Sequence, residues 1–211
     1  MQHPKNFGTH EIHIDDLIAK NKDIDPFLIR KWERIFTLSF DRNASHEIEW
    51  SDFYVCLRKI REIYGAESKQ MGYARKTLEA LWEGLQRLAD SDGDELVTIE
   101  EWIQVLKKVD SKKGDVPKWF SDYKKFMFKL FNVSEDGHLD INEYADGMSV
   151  YGHELKEAHD AFHKFAVDKK GEPKSHITYD EWKELFIDLF FSADKKKLGN
   201  HLFGIMDVEH M

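Results

Sequence analysis

Oxygen-bearing side chains recur at matching spacing in three twelve-residue segments, residues 41–52, 90–101 and 132–143. A hard cation such as Ca²⁺ binds six to eight oxygens, and a helix–loop–helix calcium loop supplies them from positions 1, 3, 5, 7, 9 and 12. Position 7 contributes its backbone carbonyl, and position 12 contributes a carboxylate from the exiting helix. The three segments, called loops 1, 2 and 3 below, therefore predict three divalent cation sites.

Loop 2 carries the most acidic ligand set. Asp90, Asp92 and Asp94 occupy positions 1, 3 and 5, and Glu101 occupies position 12. Four converging carboxylates repel one another unless a cation lies between them, so an ordinary polar turn explains this pattern poorly. Position 6 is usually Gly because the backbone turns there with a positive φ, and Glu95 at this position is expected to cost about 1–2 kcal/mol.

The ligand set of loop 1 contains more neutral side chains than that of loop 2. Asp41, Asn43 and Ser45 occupy positions 1, 3 and 5, and position 12 is Asp52 instead of Glu. Asp is one methylene shorter, which disfavours bidentate binding, so we expect a tighter six-coordinate site that also accepts Mg²⁺. His46 replaces Gly at position 6. We expect a smaller conformational cost than for Glu95, because His is enriched in the left-handed region.

Loop 3 keeps Gly137 at position 6 and Glu143 at position 12. Its first position is the neutral Asn132, while Asp136 lies at position 5 and Asp140 at position 9. Because it has fewer carboxylates than loop 2, we expect loop 3 to bind its cation less tightly.

A fourth loop is degenerate. Counting back from Glu181 places Lys170 at position 1 and Lys174 at position 5, so ammonium groups stand where cation ligands belong. The sequence predicts that loop 4 binds no metal but still pairs with loop 3 through Ile177 at position 8.

The predicted ligand sets combine side-chain oxygens with the backbone carbonyl of position 7. In full, the predicted metal-binding residues are Asp41, Asn43, Ser45, Glu47, Asp52, Asp90, Asp92, Asp94, Leu96, Glu101, Asn132, Ser134, Asp136, His138 and Glu143. The predicted ions are Ca²⁺ at three sites, with Mg²⁺ as an alternative at loop 1. No catalytic or organic cofactor-binding residue is predicted.

Two further sequence features recur in all four loops. An apolar residue (Ile48, Val97, Leu139 or Ile177) lies four residues before an acid that is followed by an aromatic side chain. Apolar residues also recur at helical spacing on both sides of each loop. The sequence predicts an all-α fold of two EF-hand pairs packed into one compact unit, with short β-bridges between paired loops.

The predicted organisation has four parts, and the polar stretch at residues 110–117 separates the two EF-hand pairs. The parts are an N-terminal arm (residues 1–24) with a short helix at 14–18, a first pair (25–113), a second pair (114–191) and a tail (192–211) that packs back on the core. In the tail, Leu202 and Phe203 are expected to be buried against the helices of loops 3 and 4.

Composition excludes several classes of protein. The 31 basic and 40 acidic residues give a net charge of −9, which disfavours binding to the phosphate backbone of nucleic acids. A single cysteine excludes an internal disulfide and a cysteine-rich zinc cluster. We expect a cytoplasmic protein, because no secretory signal is visible and no apolar run approaches the ~18 residues of a membrane span. We also expect a monomer.

Residues 27–204 resemble the invertebrate sarcoplasmic calcium-binding proteins and calexcitins. The resemblance rests on Glu47-Ile-Glu-Trp50, Trp82-Glu-Gly-Leu85, Thr98-Ile-Glu-Glu-Trp102, Tyr151-Gly and Gly199-Asn-His-Leu-Phe-Gly204. It implies a compact protein with three working EF-hands and a silent fourth, which buffers or senses Ca²⁺. Asn132 departs from the usual Asp.

Two other functions stay open. Insect juvenile hormone diol kinases resemble the same group, which implies a nucleotide-dependent enzyme, and the likeness to calexcitins implies a GTP-binding signalling protein. Phosphate binding uses a Gly-rich loop with Lys and Ser/Thr, which only residues 171–175 approach, and a charged turn explains that segment better. The sequence does not separate a buffer from a sensor, and it leaves open whether an unidentified protein target exists.

Overall fold

The computed structural model describes residues 13–110 and 116–208. The beginning of the predicted N-terminal arm, the centre of the predicted linker and the last three residues lie outside the described residues. The α-helices are α1 (Ile14–Lys20), α2 (Pro26–Ile35), α3 (Trp50–Tyr64), α4 (Lys69–Ala89), α5 (Ile99–Leu106), α6 (Lys118–Phe131), α7 (Ile141–Val150), α8 (Leu155–Phe165) and α9 (Tyr179–Phe191). A π-helix (Phe36–Phe40) extends α2, and a 3₁₀-helix (Leu198–His201) follows α9.

The helices begin where the sequence supplies caps. Asp25 accepts a hydrogen bond from the Phe27 amide at 2.8 Å at the start of α2, and Pro26 stands at the first helical position, where its missing N–H costs nothing. Ser68 caps α4 by accepting from the Met71 amide at 3.0 Å. These caps set the ends of helices that enter or leave the loops.

Short strands join the loops in two pairs. Strands β1 (Glu47–Ile48) and β2 (Val97–Thr98) are antiparallel, and so are β3 (His138–Asp140) and β4 (His176–Thr178). Ile48 lies opposite Val97, and Leu139 lies opposite Ile177. All four of these side chains are buried. The predicted all-α fold of paired EF-hands with β-bridges is confirmed.

One hydrophobic core runs through both EF-hand pairs. At its centre the Phe40 ring lies 4.9 Å from both the Trp102 and the Tyr123 rings, and Trp119 stacks on Tyr123 at 5.4 Å. Phe40 and Trp102 come from the first pair, whereas Trp119 and Tyr123 come from the second.

Across residues 13–110 and 116–208, no helix is both long and apolar enough to cross a bilayer.

A buried lysine joins the first entering helix to the last exiting helix. Lys31 of α2 has no exposed surface, and its Nζ donates at 2.8 Å to the Asp188 carbonyl, the Ser192 carbonyl and Asn200 Oδ1. Burial lowers the pKa of Lys31 to about 7, and the Asp188 carboxylate acts in the opposite direction. The lysine therefore caps the end of α9 and fixes the start of the tail.

The tail returns to the second EF-hand pair. Leu202 and Phe203 are 0% and 5% exposed, and the Phe203 ring lies 5.7 Å from Phe186 and 6.4 Å from Phe190 of α9. The Tyr144 hydroxyl of α7 donates to the Leu202 carbonyl at 2.8 Å. These contacts fill the space between α7 and α9 with apolar side chains.

Candidate metal centres

Loops 1, 2 and 3 share a backbone conformation in which positions 4 and 6 are left-handed. The φ angles are 58° and 68° at Ala44 and His46, 78° and 67° at Gly93 and Glu95, and 59° and 82° at Glu135 and Gly137. The turn expected at position 6 is thus present although His and Glu replace Gly there. The second left-handed residue, at position 4, was not anticipated from the sequence.

Loop 2 brings three carboxylates together. Asp90, Asp92 and Asp94 each offer a ligand oxygen, and these oxygens lie within 4.8 Å of one another; within the described chain, it is the one such group of His, Cys, Asp and Glu. Asp90 accepts from the Gly93 amide at 2.7 Å, and Asp94 accepts from the Leu96 amide at 2.9 Å. Backbone amides therefore hold like charges side by side, as a hard-cation site requires.

Glu101 lies outside this group of three. Its Oε1 accepts from the Ser91 amide at 2.8 Å and hydroxyl at 2.6 Å, and its Oε2 accepts from the Thr98 amide at 3.0 Å. Burial acts to raise the pKa of Glu101, but these hydrogen bonds outweigh it, so the pKa lies below its usual value. The carboxylate is ionised and fixed at the edge of the loop.

Loop 1 is more deeply buried than loop 2. Asp41 is 5% exposed, and its two oxygens accept from the Ser45 and His46 amides at 2.9 and 3.0 Å. Asp52 is 1% exposed. Burial raises the pKa of Asp52 to about 6, and hydrogen bonds from backbone amides, including that of Glu49, oppose the rise.

The shorter carboxylate of loop 1 makes the same contacts as the longer one of loop 2. Asp52 accepts from the amides at position 2 (Arg42, 2.7 Å) and position 9 (Glu49, 2.9 Å), which correspond to Ser91 and Thr98 beside Glu101.

Loop 3 also gathers its predicted side chains. The Ser134 hydroxyl donates to Asn132 Oδ1 at 3.1 Å, and the Ser134 amide donates to Glu143 at 2.8 Å. Asp136 accepts from the His138 amide at 2.8 Å, and this hydrogen bond lowers the pKa of Asp136. The carboxylate at position 5 is thus ionised and exposed to solvent.

In all four loops, positions 9 and 12 form a capping box at the start of the exit helix. The pairs are Glu49 with Asp52, Thr98 with Glu101, Asp140 with Glu143, and Thr178 with Glu181. The residues that start each exit helix therefore also aim the twelfth-position carboxylate at the loop.

Loop 4 differs in both length and charge. Helix α8 ends at Phe165 with Ala166 as its C-cap, so the segment leading to Glu181 is four residues longer than the other loops. Lys170, which counting back from Glu181 places at position 1, therefore lies four residues after the C-cap of the entering helix. Lys174 behaves as expected for position 5, since its ammonium group forms an ion pair with Glu181.

Sequence reasoning missed a side chain that connects loop 1 to the second EF-hand pair. Arg42, at position 2 of loop 1, donates through Nη1 to the Tyr151 carbonyl at 2.7 Å and to the Leu38 carbonyl at 2.8 Å. Tyr151 is the C-cap of α7, the exit helix of loop 3. Position 2 supplies no metal ligand, so no ligand rule could have indicated this contact.

No protein-family model matches the chain. Calexcitin-1 from Caenorhabditis elegans is 56% identical to it over 199 residues, which cover 94% of this chain and 97% of that protein. The chain belongs to the calexcitin and sarcoplasmic calcium-binding protein family. Within this family, sarcoplasmic calcium-binding proteins I, III and IV of Branchiostoma lanceolatum are 24% identical over 188 residues, covering 86% of this chain and 98% of theirs. The resemblance noted in the sequence is confirmed.

Solved structures agree with the family in fold. The sarcoplasmic calcium-binding protein from amphioxus superposes with a TM-score of 0.69 at 23% identity, covering 87% of this chain and 99% of that one. The coelenterazine-binding protein from Renilla muelleri, in its calcium-loaded apo form, gives a TM-score of 0.55 at 18% identity, covering 85% and 96%. Both likenesses concern the fold alone.

Proposed function

We propose that this calexcitin-family protein is a calcium-binding protein that holds one Ca²⁺ ion in each of loops 1, 2 and 3 and none in loop 4. The observation that carries the proposal is the group formed by Asp90, Asp92 and Asp94, whose ligand oxygens lie within 4.8 Å of one another. Three carboxylates so close together are destabilising until a divalent cation neutralises them.

The chemistry of the donor set fits Ca²⁺. Loops 1 to 3 offer only oxygen ligands at the predicted positions, and hard cations prefer oxygen. The left-handed turns at positions 4 and 6 give all three loops a common backbone path. In loop 4 the ammonium group of Lys174 already pairs with Glu181, so an internal cation replaces the metal.

The first prediction is a stoichiometry of three Ca²⁺ ions per chain, measured by isothermal titration calorimetry and native mass spectrometry. Glu101→Gln is expected to weaken Ca²⁺ binding at loop 2 by about 100-fold, because one carboxylate of the ligand set becomes neutral. Two ions should then bind at concentrations that saturate the unmodified protein.

Glu100→Gln is the matched control for this experiment. Glu100 lies next to Glu101 in α5 but pairs with Lys20 at 3.3 Å on the surface. This control should keep three ions. Four ions in the unmodified protein, or three ions in the Glu101→Gln variant, would contradict the assignment.

The second prediction concerns Mg²⁺ at loop 1. Asp52→Glu should raise the preference of this site for Ca²⁺ over Mg²⁺ by about 10-fold, because a longer twelfth-position side chain permits the larger, bidentate calcium shell. Competitive titration can isolate loop 1 in a background that carries Glu101→Gln and Glu143→Gln. Glu101→Asp, tested alone, should shift loop 2 in the opposite direction. Unchanged selectivity in both variants would refute the argument.

The nucleotide alternative is the weaker proposal. Residues 171–175 approach a phosphate-binding pattern, but Lys174 is engaged with Glu181, and Pro173 has no amide hydrogen to offer a phosphate. The relatives found are named as calexcitin or as calcium-binding proteins. Calorimetric titration of GTP and ATP into the Ca²⁺-loaded protein tests this directly. A saturable heat of nucleotide binding would support an enzymatic or GTP-dependent function.

A further inference from the structure

A cleft of about 530 Å³ lies between α4, α6, the start of α9 and the edge of loop 3. Three aromatic side chains, Tyr73, Phe128 and Tyr179, form its apolar part. The rings of Phe128 and Tyr179 lie 4.9 Å apart on one side, and Tyr73 of α4 lines the other. Phe128 is buried, whereas the two tyrosines are half-buried and reach the surface. The volume falls in the range of small-molecule sites, about 300–1,000 Å³.

The cleft is electropositive although the protein is acidic. Three lysines line it, Lys69 from α4 and Lys125 and Lys129 from α6, against the single carboxylate of Glu135. Lys69 pairs with Glu135 at 3.1 Å, and Lys129 lies 5.8 Å from the centre of the Tyr73 ring. In the described part of the chain, Lys125 has no hydrogen-bond or ion-pair partner.

Two helix N-termini make the electrostatic potential of the cleft more positive. Lys69 is the first residue of the 21-residue helix α4, and Tyr179 is the first residue of the 13-residue helix α9. The N-terminal end of a helix carries a partial positive charge that stabilises nearby anions. Lysines, helix ends and aromatic walls together match a molecule with an acidic head and an apolar body.

We propose that this cleft binds a small anionic amphiphile, with its apolar body between Tyr73, Phe128 and Tyr179 and its acidic head between Lys125 and Lys129. This goes beyond the proposed calcium binding: the side chains proposed to hold the ligand are not predicted metal ligands, although Asn132 of loop 3 also lines the cleft. A flat or aliphatic body fits between the rings, and the unpartnered Lys125 ammonium is available for the head group. Because the site is concave and small, a free ligand fits it better than a macromolecular surface.

The test uses 11-(dansylamino)undecanoic acid as a fluorescent probe, with its uncharged methyl ester as the matched ligand. Titrations are run in saturating Ca²⁺ and in EDTA, and in a double variant that carries Lys125→Glu and Lys129→Glu. Both lysines are exposed, so the fold should tolerate the change, which circular dichroism checks. The acid should bind saturably in at least one condition, and the double variant should weaken it by about 10-fold or more.

The control double variant carries Lys22→Glu and Lys196→Glu, two exposed lysines outside the cleft, and produces the same change in net charge. It should alter affinity by less than about 2-fold. Three results would overturn the proposal: no saturable binding of the acid, equal losses in both double variants, or an ester that binds as tightly as the acid. Three Ca²⁺ ions per chain would be unaffected by any of these results, so the two proposals fail separately.

Discussion

Deleting residues 198–211 should lower the free energy of unfolding by roughly 5 kcal/mol or more and should strongly increase the fluorescence of a hydrophobic dye. The deletion removes the buried side chains of Leu202, Phe203 and Met206, each of which contributes about 2–5 kcal/mol in large-to-small substitutions. It also exposes the apolar surfaces of Phe186 and Phe190 that Phe203 covers. Chemical denaturation and dye titration measure the two effects.

Point substitutions make this test sharper. Phe203→Ala should cost about 3–5 kcal/mol, whereas Leu198→Ala should change stability by less than about 0.5 kcal/mol, because Leu198 is 41% exposed. If the truncated protein matches the full chain in stability and dye binding, the tail does not cover the apolar surface between α7 and α9. An open apolar surface would then favour a sensor over a buffer.

Lys31→Met should lower the free energy of unfolding by about 3 kcal/mol, because it removes the donor to the Ser192 carbonyl and to the Asn200 amide oxygen and leaves the Asp188 carbonyl with the Ser192 amide alone. Methionine has a similar length and keeps most of the packing. Lys22→Met is the matched control, since Lys22 is exposed, and it should be nearly neutral. Urea denaturation of both variants gives the comparison.

The pH dependence separates the charge of Lys31 from its packing. Burial lowers the pKa of Lys31 to about 7 in the folded protein, while the unfolded chain keeps a pKa near 10.5. Between these values the unfolded chain binds a proton that the folded one lacks, so stability gains with rising pH. The difference between the unmodified protein and Lys31→Met should therefore widen by roughly 1 kcal/mol per pH unit from pH 7.5 to 9. A constant difference would mean that the ammonium stays protonated.

The sequence by itself specified the positions of the carboxylates in the loops and the pairing of their short strands. Spacing alone identified the carboxylates of loop 2, because a calcium loop is contiguous and its ligand order is fixed by the backbone path. The β-bridges followed for the same reason, since position 8 is apolar in every copy and Ile48 meets Val97 as expected. Short-range rules of this kind need no knowledge of the rest of the chain.

The tertiary structure decided the contacts between distant segments. Neither the buried amino group of Lys31 at the end of α9 nor the link from Arg42 to Tyr151 is visible in a local pattern, because the partners are more than a hundred residues apart. The extra length of loop 4 was not visible in a local pattern either, since Ala166, the C-cap of α8, lies four residues before Lys170, the residue reached by counting back from Glu181. Ligand spacing is a property of twelve consecutive residues, whereas a buried polar contact depends on which helices pack together, and only the folded chain fixes that.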